Sequence, residues 1–187
     1  MSFKSCLLLV AVNMLFSIGV AVLFSWIVDL YPFLDYLPAD DMVEAGFTFA
    51  YIIEFISIVV VAPISEEFIF RGVFLSRFKN AIPLMAAILL SSIVFGLLHG
   101  FVSFVGALVF GICMCIVYLK TQNIFVSISI HFLNNFIGMA LVWIPYLDVV
   151  LDTDIAFIIV IILSIISAIY LFKFIKDGYK EVKSQIN

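Results

Sequence analysis

The sequence predicts an all-α fold: a polytopic membrane bundle of about six helices around a buried polar site. Three observations predict it. Hydrophobic residues fill 66% of the 187 positions and charged residues only 12%, against roughly 45–50% and 25% in soluble domains. Mean hydropathy is +1.32. The apolar residues also gather into long runs near the ~20 residues that cross a hydrocarbon core about 30 Å thick. A soluble domain of this composition would expose large apolar patches. A disordered chain needs the opposite balance of charge and hydrophobicity. A net charge of −4 with no basic stripe argues against a nucleic-acid partner. At this length the chain holds roughly six or seven spans, hence one integral membrane domain over residues 1–187.

The elements follow in order. The run over 5–28, preceded by Lys4, reads as an uncleaved first span. Its apolar core exceeds the ~7–15 residues of a signal-peptide core, and no A-x-A site follows. Acidic residues and two breakers, Pro32 and Pro38, occupy the next stretch. The second run starts near Phe47 and continues past Pro63 into Glu66, Glu67 and Arg71. Drawn as one helix to Lys79 it would be about 50 Å long, so it must tilt, bend near Pro63 or lay its last turns along the interface. Further runs cover about 82–99, 101–119, 123–145 and 155–175, and a polar tail follows from Lys176. Small residues at Gly96, Gly100, Ala107 and Gly111 predict close helix packing. The three cysteines, Cys6, Cys113 and Cys115, lie in apolar runs and read as small packing residues rather than a disulfide framework.

Basic residues set the expected orientation. With six spans and the N-terminus inside, Lys4, Arg71, Arg77, Lys79, Lys120, Lys173, Lys176, Lys180 and Lys183 all fall at or toward the cytoplasmic side. The two outer loops, 29–46 and 146–154, hold Asp29, Asp35, Asp40, Asp41, Glu44, Asp148, Asp152 and Asp154 instead. Both termini are therefore expected in the cytoplasm.

Ionisable groups at membrane depth cost roughly 2.5–3.5 kcal/mol each on insertion scales. This chain nevertheless places Glu54, Glu66, Glu67, Arg71, His99, His131, Asn134 and Asn135 in or beside its spans. One such residue is usually a helix-to-helix hydrogen bond; Glu54, which stands alone, is read that way. The others occur as a set. Glu67 and Arg71 are four apart and can pair on one face, while Glu66 is rotated about 100° from Glu67 and can face a cavity. His131 and Asn135 share a face, and Phe95 lies one turn before His99. Rises of about 20 Å from Lys79 to Glu66, 24 Å from Pro83 to His99, and 17 and 23 Å from Lys120 to His131 and Asn135 bring the four polar groups to a similar depth.

A carboxylate and an imidazole beside one water make a general base for hydrolysis, and a second His with an Asn can donate to a developing oxyanion. Glu66, His99 and His131 are equally able to hold a divalent metal such as zinc, although Asn is a poor zinc ligand, which favours the metal-free version. H-E-x-x-H, a serine elbow and a membrane aspartate pair are all absent from the sequence.

Three blocks carry a resemblance: E-E-F-I-F-R at 66–71, F-G-L-L-H at 95–99 and H-F-L-N-N at 131–135. They resemble the E-E-x-x-x-R, F-x-x-x-H and H-x-x-x-N/D blocks of the CAAX-processing and bacteriocin-processing (CPBP, or Abi) intramembrane proteases, which include the type II CAAX prenyl endopeptidases. The family core would span about 45–175. The resemblance implies that Glu66 activates water with His99, that Glu67 and Arg71 orient the first block, and that His131 and Asn135 form the oxyanion site, with Asn134 as a possible substitute for Asn135. It implies a peptide or lipidated protein as substrate and the lipid bilayer as surroundings. Metal dependence in the family has been argued both ways. Two other functions use similar residues. A non-catalytic bacteriocin-immunity or regulatory protein need not keep buried carboxylates, and a small transporter would be expected to show inverted repeats, which are not seen.

Overall fold

The computed structural model describes residues 1–30, 49–142, 144 and 153–186. The acidic loop residues Asp35, Asp40, Asp41, Glu44, Asp148 and Asp152, on which the expected orientation partly rests, lie outside them. The described residues form a helical bundle with no strand among them.

Helix α1 is Phe3–Leu30. Helix α2 is a rod over 49–81 in which wide π turns alternate with α segments: Phe49–Ile56, Ser57–Val61 (π), Ala62–Glu67, Phe68–Leu75 (π) and Ser76–Ala81. Pro63 does not break it, because it falls in the first turn of the Ala62–Glu67 segment, where its fixed φ suits the helix. Helix α3 is Leu84–Leu97, α4 is Gly100–Thr121, α5 is Ile124–Val142 and α6 is Asp154–Ile186.

Among the described residues, α1, α4, α5 and α6 are each long and apolar enough to cross a membrane as unbroken α-helices. The third run is shorter than expected: α3 has 14 residues, about 21 Å of rise. It ends in a tight turn at His99 and Gly100, and Gly100 adopts φ 76°, a conformation that glycine takes without a Cβ penalty. The last run is longer than expected. The tail continues α6 to Ile186, since Val182 is buried and Lys120 Nζ meets Glu181 Oε2 at 2.6 Å.

Helix α4 is the central element. It packs on α3, α1 and α6, and α2 leans on α5 and α3. One core cluster joins Leu9 and Val10 of α1, Phe70, Phe95, Met114, Ile130 and Leu171. A second gathers Leu75, Ile88, Cys115, Ile116 and Val182 around interleaved positions of α4. Cys113 and Cys115 are unpaired and fully buried in these clusters, as packing residues should be. Gly111 lets α3 approach: a Cβ there would lie 3.2 Å from Ser92 Cβ and 3.3 Å from Phe95 Cδ1.

Candidate active site

The two adjacent carboxylates do different work. Glu67 is wholly buried, and its Oε1 accepts from Arg71 Nη1 at 2.9 Å and from His131 Nδ1 at 2.9 Å. Arg71, 1% exposed, turns its Nη2 to the Gly111 carbonyl at 3.1 Å. The guanidinium carbon also stands 4.8 Å from the centre of the Phe95 ring, a cation–π distance. Charge and hydrogen bonds are thus largely satisfied inside the protein, which is the condition for tolerating an ion pair at this depth.

Glu66 is 26% exposed, and its buried Oε2 has no protein hydrogen-bond partner. It stands 3.8 Å from His99 Nε2 and 3.7 Å from His131 Nε2. The imidazole tautomers follow from their other partners. His99 Nδ1 lies 2.8 Å from the Phe95 carbonyl, which only accepts, so Nδ1 carries the hydrogen. His131 Nδ1 faces the Glu67 carboxylate and carries it for the same reason. In the neutral state both rings therefore turn a bare Nε2 toward Glu66 Oε2. Three lone-pair atoms converge, and a group able to donate between them would be held from several sides.

Phe95 is the hub of the packing. Its ring stands 4.3 Å from His99, 5.9 Å from His131 and 5.2 Å from Phe70, centre to centre. Phe110 stands 4.9 Å from His131 in an edge-to-face arrangement. The imidazoles are thus clamped by aromatic rings as well as by hydrogen bonds.

A cavity of about 170 Å³ adjoins the histidines, lined by Phe95, His99, Phe110, His131, Asn134 and Asn135 and, from α1, by Asn13, Ser17, Val20 and Ala21. The predicted residues Glu66, Glu67, Arg71, His99 and His131 are joined in one cluster. Asn135 borders the same cavity, with its amide nitrogen 2.9 Å from the Ile58 carbonyl. Glu54 does not join the set. The sequence reading missed Asn13, which is 2% exposed and donates to Asn134 Oδ1 at 3.2 Å. An amide inside the otherwise apolar run 5–28 was the available signal.

The donor set offers no ready metal site. Among the described residues no group of three or more His, Cys, Asp and Glu side chains is disposed to hold a metal ion. Glu66 with the two imidazoles comes nearest, at separations of 3.7 and 3.8 Å. These exceed the roughly 3.3 Å between ligand atoms on a tetrahedral zinc with bonds near 2.0 Å.

Comparison with known proteins agrees with the three blocks. Residues 48–137 match the family of type II CAAX prenyl endopeptidase Rce1-like proteins. Over that segment, just under half of the chain, the sequence is similar to that family. The match contains all six predicted site residues and supports a CAAX-type intramembrane protease in general. It leaves α1 and α6 outside. No curated protein and no solved structure matches the chain.

Proposed function

We propose that the chain is an intramembrane endopeptidase that hydrolyses a peptide bond in a membrane-associated or lipidated, CAAX-type substrate. The observation that carries this reading is Glu66 Oε2, partnerless and facing two imidazole Nε2 atoms at 3.7 and 3.8 Å. A water at this point donates one hydrogen to Glu66 and another to His99 Nε2. Glu66 takes the proton as the water oxygen attacks the substrate carbonyl. The resulting oxyanion is met by the Asn135 N–H that Ile58 does not use, with His131, the other member of the proposed oxyanion site, lying beside it. The proton held by Glu66 then passes to the leaving amine. Glu67 and Arg71 act through His131: the shared Glu67 oxygen fixes its ring and tautomer. Both termini face the cytoplasm in this reading, in line with the placement of the basic residues.

The test is cleavage of a panel of C-terminal peptides, prenylated and plain, by the protein in liposomes, with and without a strong chelator. Parent protein should cleave at least one class, and Glu66→Gln and His99→Ala should lose at least a hundredfold in rate while inserting and melting like the parent. Normal cleavage by both variants would sink the proposal. Loss of parent activity in chelator, restored by zinc, would replace the metal-free route with a metal held by Glu66, His99 and His131.

A further inference from the structure

Pro63 lacks the N–H that would continue the α2 ladder. In the π turn before it, Ala62 N–H bonds the Ser57 carbonyl. The next bond in that register would run from residue 63 to the Ile58 carbonyl, and proline has no hydrogen to give. Asn135 of α5 supplies the missing donor, Nδ2 to Ile58 O at 2.9 Å. Because a carbonyl only accepts, this contact decides which end of the Asn135 amide carries nitrogen. The Asn135 Oδ1 then faces Asn134, whose Nδ2 donates to it at 3.5 Å. The Asn134 Oδ1 in turn accepts from Asn13 Nδ2 of α1 at 3.2 Å. Three amides stand in a row, each oriented by the one before, from a carbonyl that proline has freed. All three border the cavity beside His99 and His131.

We propose that Asn13 is a positioning residue of this site, the terminal donor of an amide relay (Asn13, Asn134, Asn135, Ile58 carbonyl) that fixes where the spare N–H of Asn135 points. The first helix, outside the Rce1-like segment, thereby becomes a working part of the site. The proposal rests on the reading of Asn135 as an oxyanion donor. Asn13 does not touch the reacting atoms; it acts through Asn134.

The experiment uses the full chain in micelles, with asparagine side chains labelled with nitrogen-15, together with cleavage kinetics on the peptide panel. In Asn13→Leu, which keeps the volume and removes the donor, the side-chain amide signals of both Asn134 and Asn135 should move, while those of Asn80 and Asn123 stay. The kcat should fall about tenfold, a fraction of the 10²–10³ lost when an oxyanion donor is removed outright, with KM within about twofold. Asn13→Gln, which keeps an amide donor, should recover most of the rate. Pro63→Ala perturbs the relay from its other end: its new backbone N–H competes for Ile58 O, and the Asn13 signal should shift. That variant decides the matter if Asn13→Leu does not fold. An unmoved Asn135 signal in Asn13→Leu, an unmoved Asn13 signal in Pro63→Ala, or a loss confined to KM would overturn the proposal. If no peptide is cleaved by any variant, the protease reading fails, while the signals still judge the relay.

Discussion

Removing one member of the buried Glu67–Arg71 pair should cost far more than removing both. Glu67 is 0% and Arg71 1% exposed, so neither charge is screened by solvent when its partner leaves. Stranding one charge of a buried pair costs about 3–5 kcal/mol, whereas replacing both with apolar groups of similar volume is often neutral or favourable. Glu67→Gln keeps an oxygen for both Arg71 and His131 at the shared Oε1 position but no countercharge, so we expect a loss of about 3 kcal/mol. Arg71→Met leaves the Glu67 carboxylate with His131 alone and should cost about 3–5 kcal/mol. The double variant should cost no more than either single change, giving a coupling of at least ~2 kcal/mol in a double-mutant cycle. Incomplete satisfaction supports this asymmetry: Glu67 Oε2 and Arg71 Nε have no partner, so the pair's own net contribution is modest. The assay is reversible unfolding in mixed micelles with increasing SDS. Single-variant losses below about 1 kcal/mol, or a double variant equal to the sum of the singles, would refute the reasoning.

Two further expectations concern packing. Gly111→Ala places a methyl 3.2 Å from Ser92 Cβ and 3.3 Å from Phe95 Cδ1, so it should lower stability in the same assay by about 1–3 kcal/mol and slow cleavage through the displaced Phe95 ring. Lys120→Met removes an ion pair whose Glu181 partner is 51% exposed, so it should change stability by less than about 1 kcal/mol, and a larger loss would mean that the α6 tail depends on this contact.

The helical bundle was legible because composition and run length decide it. Residues meant for lipid cannot be hidden in a chain with 66% hydrophobic content. The site blocks were legible because charges at membrane depth are costly and these ones recur at helical spacing. Spacing also predicted the Glu67–Arg71 pair, which forms at 2.9 Å. Other features were not readable. Nothing local marks α3 as only 14 residues long, because its end is set by the turn at Gly100. The helical tail could not be seen as such, since its register depends on Val182 packing and on Lys120, more than sixty residues away. The π turns of α2 leave no period in so uniformly apolar a stretch. Asn13 stood out only as an amide in an apolar run, and its place in the site was not readable because its partner lies 121 positions along the chain.

In the proposed mechanism, the uneven treatment of two neighbouring carboxylates gives each member of the doubly acidic block its own task. In a membrane, an isolated carboxylate bears the full cost of desolvation. Glu67 avoids this by binding Arg71 and His131 with one oxygen, and so becomes structural. That arrangement also settles His131, whose Nε2 then points at Glu66. Glu66 lies one residue before Glu67, about 100° around the helix, and finds no guanidinium there, only two imidazoles at 3.7 and 3.8 Å. It is the one carboxylate of the pair with exposure, at 26%. A single Glu could be stabilised or left available for chemistry, but not both. Two in succession let the helix anchor one and present the other, and the π turn that follows at Phe68–Leu75 carries Arg71 at the reach Glu67 requires.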